Sequence, residues 1–278
     1  MIVLIGVLSL IASGGCAGES SGTITVFCGS ASKPPVEEAS RAFREKTGIE
    51  VYLNFGGSGT MLSQIELSQS GDVYIPGSQD YMAKAERREA IDPASVQKIA
   101  YLIPVITVSK DNPKNIRSLS DLARPGIKVG IGSPAAVCLG LYAVEIFEHN
   151  NLLEDISRNI VVHAESCEKV ATLITLKSVD AVIGWDVFRH WDPDNIDCVY
   201  LAPEQLPRIA YIPGAVTKYT QNSDVARQFL DFLTSPEGKS IFRKWGYITT
   251  ESEAHKLAPG AAIGGEYQLP DTYKTPGK

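Results

Sequence analysis

The chain has 278 residues, 44% of them hydrophobic and 21% charged, with a formal net charge of -6. That length buries a substantial core and favours two lobes over one, and the composition excludes both a disordered chain and a multi-span membrane protein. The acidic balance speaks against nucleic acid, whose partners carry a basic footprint, but not against a small anion, which backbone N–H groups and helix N-termini hold locally.

Met1 to Ala12 is an apolar run interrupted only by Gly6 and Ser9. It is shorter than the roughly 20 residues of a bilayer span and reads as the core of a signal peptide. Ser13-Gly14-Gly15-Cys16 follows and resembles a lipobox, so Cys16 is expected to carry a lipid anchor, with residues 17–22 as tether. The alternative is a signal cleaved to leave a soluble protein. Either places the protein outside the cytoplasm.

Thr23 to Phe27 alternates and is β-rich, a first strand ending in Cys28-Gly29-Ser30-Ala31-Ser32. A helix with Val36, Ala39 and Phe43 on one face closes at Thr47-Gly48, where glycine supplies the left-handed cap. Ile49 to Phe55 is the second strand, Gly56-Gly57-Ser58-Gly59-Thr60 a glycine-rich turn, Met61 to Ser70 a short helix and Asp72 to Pro76 a third strand. This β-α-β-α-β order implies a parallel sheet with right-handed crossovers. The charged run 84–89 reads as a solvated helix face. Ile99 to Ser109 is one long apolar strand, able to pass between lobes. Ile127 to Ile131 is a strand before a helix starting near Ala135, and Ile160 to His163 is another, feeding Ala164-Glu165-Ser166-Cys167 and a helix. Strands at Asp180 to Ile183 and Asp197 to Leu201 precede the second long apolar strand, Ile209 to Thr217, a natural return crossing. Helices then start at Ser223-Asp224 and Ser235-Pro236, and beyond Leu257 an irregular tail is expected.

Four strand ends therefore run into helix N-termini through small residues: Gly29 to Ser32, Gly56 to Thr60, Ser133 to Cys138 and Glu165 to Cys167. Ligands of open parallel sheets bind beyond the carboxyl ends of the strands, so these loops are where a site forms. Small side chains let backbone approach a ligand, hydroxyls and N–H groups donate, and helix dipoles favour negative charge. Taken singly, each loop is also what any turn needs; four together point to an anion. Three cysteines, Cys28, Cys138 and Cys167, lie on these loops, and Cys198 lies in a strand. They are small residues fitting tight turns, a disulfide pair, or the lining of a cleft for a soft metal or thio-substituted anion. His149, His163, His190 and His255 lack metal-ligand spacing, and Trp185, Trp191 and Trp245 read as core residues. No Ser-His-Asp order, nucleophile elbow, P-loop lysine or zinc motif is present, so no enzyme and no cofactor is expected.

Thr25-Val-Phe-Cys-Gly-Ser-Ala-Ser32, Phe55-Gly-Gly-Ser-Gly-Thr60, Asp72-Val-Tyr-Ile-Pro-Gly-Ser-Gln-Asp-Tyr-Met82, Ala90-Ile-Asp92 and Phe229 to Tyr247 resemble the molybdate- and tungstate-binding proteins of ABC importers, in order and with comparable spacing over about residues 23–250. The resemblance implies a two-lobed periplasmic-binding-protein fold of type II, each lobe a mainly parallel sheet flanked by helices, joined by two crossing segments. Lobe I would comprise 23–104 and 210–256, lobe II 105–209, and the tail 257–278. It also implies a monomer working with an ABC permease and ATPase, its ligand molybdate or tungstate, with sulfate, phosphate, a metal species or a sensory role as alternatives. In that family serines and amides of the first two loops and amides of the second lobe hold the anion. Carried over, these fall on Ser58 with Gly57 and Gly59, on Val137, Cys138 and Leu139, and on Ser166 and Cys167. The first-loop serine falls on Ala31, between Ser30 and Ser32, and the family's tyrosine is absent, with Trp185 and Asp186 standing near its place. Molybdate, tungstate and sulfate need only donors, whereas phosphate keeps a proton and needs a buried acceptor. Glu165 and Asp186 are the carboxylates able to supply one, or to ligate the metal as some relatives do.

Overall fold

The computed structural model describes residues 22–270 and 273. The signal-peptide and Cys16 expectations lie outside the described residues. The strands are β1 (Thr23–Gly29), β2 (Glu50–Gly56), β3 (Val73–Ile75), β4 (Gln97–Leu102), β5 (Pro104–Ser109), β6 (Val129–Gly132), β7 (Ile160–Ala164), β8 (Ala181–Trp185), β9 (Ile196–Tyr200), β10 (Arg208–Val216) and β11 (Ala262–Ile263). The helices are α1 (Lys33–Thr47), α2 (Ser58–Ser68), α3 (Gln79–Arg87), α4 (Cys138–His149), α5 (Leu153–Ser157), α6 (Cys167–Thr175), α7 (Phe188–Trp191), α8 (Ser223–Thr234), α9 (Pro236–Lys244) and α10 (Glu251–Leu257).

Two mixed sheets result, flanked by helices. The first runs β11-β10-β3-β1-β2 with β4 on β10, and the second runs β7-β6-β8-β5-β9. β1 sits between two parallel neighbours, Val26 facing Leu53 on one side and Val73 on the other, as the β-α-β pattern requires. β10 pairs antiparallel with β3 and β4, and β5 antiparallel with β8 and β9. This parallel-plus-returning-strand arrangement is the α/β fold expected from the sequence. Phe43 of α1 packs between Phe229 and Phe232 of α8 at 5.2 and 5.6 Å, which fixes two helices on the first sheet.

Three local expectations need correction. The apolar run 99–109 is not one strand but β4 and β5 in different sheets, broken at Ile103. Ile103 gives its N–H to Asp186 Oδ1 (3.2 Å) and takes the Asp186 N–H on its carbonyl (3.0 Å), so the crossing is pinned to the end of β8. The helix expected near Ala135 starts at Cys138, because the Ser133 carbonyl accepts the N–H groups of Ala136 and Val137 and holds the intervening residues in a turn. Conversely α2 starts at Ser58, inside the glycine-rich turn.

Beyond Leu257 the chain is more engaged than its composition suggested. β11 pairs parallel with β10, and Glu266 bonds Arg87 of α3 at 2.8 Å. The Tyr267 N–H donates to Asp80 of α3 (2.9 Å) while its hydroxyl donates to Glu148 of α4 (2.6 Å), and the Tyr273 hydroxyl meets His163 of β7 (2.9 Å). The segment thus touches the helices of both sheets.

Candidate functional site

The N-termini of α2, α4 and α6 meet where the two sheets' strand-end loops face each other. Gly57 precedes α2 with φ -66°, a conformation open to any residue, so its lack of a side chain answers to space. A Cβ there would lie 2.6 Å from the Glu165 carbonyl oxygen and 2.8 Å from that of Ala136, both on loops of the second sheet. The close approach is sealed by hydrogen bonds across the same seam, Gly59 N–H to the Ala136 carbonyl (2.8 Å) and Glu168 N–H to Ser30 Oγ (3.2 Å), with Lys33 paired to Glu168 at 2.8 Å. The halves are closed on each other. Gly57→Ala is therefore expected to oppose closure while leaving each half folded, at about 1–3 kcal/mol. Small-angle scattering should show an expanded molecule, and an unchanged radius of gyration would contradict the assignment of Gly57 to the closing seam.

At the centre Ser58 is 2% exposed. Its Oγ accepts the Gly77 N–H (3.0 Å), and its carbonyl accepts the Tyr74 hydroxyl (2.8 Å). The Cys138 thiol packs against Gly77, where a Cβ would come 2.7 Å from its Sγ. The first turn of a helix leaves N–H groups without intrahelical partners. In α6 those of Glu168 and Lys169 go to Ser30 and Ser166 Oγ, and in α4 that of Gly140 goes to the Val137 carbonyl. This leaves the N–H groups of Cys138, Leu139 and Cys167, like that of Ser58 in α2, with no protein acceptor among the described residues. A cavity of about 830 Å³ lies along the seam, lined among others by Phe55, Gly57, Gln64, Ser166 and Lys169.

The candidate residues thus separate. Ser30, Gly57, Ser58, Gly59, Cys138, Ser166 and Cys167 are brought together, with Val137 and Leu139 beside them; the Val137 N–H is taken by the Ser133 carbonyl (2.8 Å). Ala31 is fully buried and lies beneath Gly77. Ser32 turns instead to Cys28 Sγ (3.3 Å) and the Gly29 carbonyl (3.4 Å). Burial pushes the Cys28 thiol up to about 12. Trp185 is buried and packs edge-on to Tyr142 at 5.3 Å, and Asp186 serves the Ile103 crossing. Glu165 faces solvent, its carboxyl held low by Lys169 at 2.5 Å. Gly77 was missed. Its signal was present in Pro76-Gly77-Ser78, one more small-residue loop between a strand and a helix.

The Cys167 thiol and burial together hold the Cys138 thiol well above the usual range, so it stays protonated and donor-capable. Asp80, whose charge also acts on Cys138, is committed to Ser78, Arg208 and Tyr267. Hydroxyls, thiols and helix N-terminal amides with no free carboxylate among them can hold negative charge, and form no nucleophile–base pair.

Two sheets closing on a donor-lined seam define a binding protein of the two-lobed, type II periplasmic kind. Residues 24–248 match the family model for bacterial extracellular solute-binding proteins, and the chain belongs to that family. It is 27% identical over 230 residues to a putative binding protein of Haemophilus influenzae, covering 80% of this chain and 89% of that one. To the molybdate-binding protein ModA of Escherichia coli it is 25% identical over 233 residues, covering 81% and 89%. Among solved structures, the sulfate-binding protein SubI from Mycobacterium tuberculosis superposes with a TM-score of 0.73 at 18% identity, covering 87% of this chain and 94% of that one. The chain is a solute-binding protein of the ABC-importer type.

Proposed function

We propose that this protein binds a fully deprotonated tetrahedral oxyanion, molybdate or tungstate, between its two lobes and hands it to an ABC permease and its ATPase from the outer side of the membrane, anchored through Cys16. The lobes in this reading are 23–104 with 210–256, and 105–209. The observation that carries it is the convergence of three helix N-termini on Ser58, with the N–H groups of Ser58, Cys138, Leu139 and Cys167 left for a ligand. Ser30 and Ser58 supply hydroxyls, Gly57 and Gly59 the close approach, and the second lobe its amides at Cys138, Leu139 and Cys167. The absence of a free carboxylate in that ring favours anions that bring no proton of their own.

Calorimetric titration with molybdate, tungstate, sulfate and phosphate tests the choice. Heat with the first two supports the reading; heat with sulfate alone transfers it to that anion, and silence from all four defeats it. Ser58→Ala removes a hydrogen bond to a charged ligand, at about 1.5–3 kcal/mol, or roughly tenfold to 150-fold in Kd. An S58A protein that binds as tightly as the unaltered one would remove Ser58 from the ligand shell.

A further inference from the structure

Beyond β11 the chain is fastened to one half of the molecule and reaches across to the other. Gly264 and Gly265 turn it at φ +73° and +86°, the left-handed region that favours glycine. The residues that follow are tied to the first sheet and its helix α3. The Gly264 N–H donates to the Ile209 carbonyl (2.9 Å), the Gly265 carbonyl accepts Arg208 Nη1 (2.6 Å), Glu266 pairs with Arg87 (2.8 Å) and the Tyr267 N–H donates to Asp80 Oδ1 (2.9 Å). Among residues 264–270 only the Tyr267 side chain makes a hydrogen bond to the second half, its hydroxyl donating to Glu148 Oε2 of α4 at 2.6 Å. Tyr267 and Leu269 also wall, with Pro134 and Leu141 of the second half, a cavity of about 270 Å³ beneath this stretch.

We propose that residues 264–269 are a strap between the halves, with the Tyr267–Glu148 bond as its clasp, which holds them closed and slows the release of whatever lies between them. The strap has purchase because of the helix it grips. α4 packs on β6 and β8 of the second sheet, and its first turn carries the Cys138 and Leu139 N–H groups that have no protein acceptor among the described residues. Glu145, three residues before Glu148, receives Arg208 of β10. Holding α4 against α3 therefore holds the second half's donors against Ser58. Opening must stretch the clasp, because its ends lie on different halves, whereas the four other bonds of the strap move with the first half. The acceptor is a carboxylate, which strengthens the bond. Glu148 is exposed, which brings it back to the worth of an ordinary hydrogen bond. The strap acts on closure itself, whatever the anion.

Amide hydrogen exchange of the full chain, with no anion present, tests this, since an amide bonded across the seam exchanges in proportion to the open population. Gly59, bonded to the Ala136 carbonyl, and Glu168, bonded to Ser30 Oγ, report opening from the two halves. Thr217, bonded to the Asp72 carbonyl, and Asp180, bonded to that of Lys128, report the folding of each half by itself. Tyr267→Phe and Glu148→Ala remove the same bond, and each should quicken the Gly59 and Glu168 amides together by roughly twofold to tenfold, with Thr217 and Asp180 unchanged. Y267F/E148A should be no faster than the faster single variant, as two cuts in one bond require. The proposal is overturned if the seam amides keep their wild-type rates in Y267F and E148A, if all four amides quicken alike, or if the two effects multiply in the double variant. Calorimetric titration separates the two readings: quickened seam amides with no heat from any anion defeat the anion reading alone, and heat with unchanged seam rates defeats the strap alone.

Discussion

Replacing Arg208 with methionine is expected to destabilise the protein by about 3–5 kcal/mol, the usual cost of leaving a buried charge without its partner. Arg208 opens β10 and is 5% exposed. Its Nε and Nη2 donate to Glu145 of α4 at 2.6–2.9 Å, Nη2 lies 3.2 Å from Asp80 of α3, and Nη1 donates to the Gly265 carbonyl at 2.6 Å. The guanidinium also stacks 4.4 Å above the Tyr142 ring. One side chain therefore joins both sheets' helices and the C-terminal segment. Burial already lifts the Glu145 carboxyl above its ordinary range even with the cation against it. Without Arg208, the buried Asp80 and the half-buried Glu145 carboxylates would face each other with no cation between them. Urea midpoints should fall in R208M, more at pH 8 than at pH 5, since protonating the orphaned carboxyls relieves part of the loss. Lysine should restore only part, because it lacks the planar fork that serves Glu145, Asp80 and Gly265 at once. The triple variant R208M/D80N/E145Q should recover most of the stability. A loss below about 1 kcal/mol in R208M would show that the network is solvated and not a structural joint.

Much of this fold could be read from the sequence, and the reasons for the failures are physical. Alternating and apolar runs marked β1, β2, β6, β7 and β8 to within a few residues because each is bounded by glycine, proline or a helix cap. The break at Ile103 was marked only by Pro104, which opens β5, and was easily passed over because a strand that leaves one sheet for another is buried in both and stays apolar throughout. The loops of the site were legible as small-residue runs at strand ends. Which of them touch was not: Ser30 meets Glu168, Gly59 meets Ala136 and Ser58 meets Gly77, across separations no local pattern encodes. The same distance hid Arg208, whose partners Asp80, Glu145 and Gly265 lie on three remote elements. Three loop cysteines suggested a convergence, but the hydroxyl of Ser32, one helical turn along, captures Cys28.

Asp186 gives the second large effect, and its sign is opposite to that of a salt-bridged carboxylate. It is 6% exposed, and burial raises its carboxyl from 3.8 to about 7, despite the Ile103 N–H bound to Oδ1 and the charge of Arg189. A carboxyl raised on folding binds its proton more tightly in the native state. Stability then falls as pH rises from the unfolded value towards the folded one, and the penalty is absent below about pH 4 and complete above about pH 7. About three pH units at roughly 1.4 kcal/mol each put it on the order of 4 kcal/mol, an upper figure for a site that can relax or admit water. Asp186→Asn keeps an oxygen for the Ile103 N–H and removes the titration. Unfolding free energies of the two proteins should therefore nearly coincide at pH 4 and separate steadily to pH 8, where D186N is the more stable. Because Asp186 bonds both the N–H and the carbonyl of Ile103, the residue where the chain passes from one sheet to the other, its ionisation loads the crossing itself. Hydrogen exchange at the Ile103 amide should accordingly quicken between pH 5 and 8 in the unaltered protein, beyond the intrinsic rise of exchange with pH, and not in D186N. Parallel stability profiles for the two proteins across that range would mean that Asp186 ionises freely in the folded state and that water reaches the crossing.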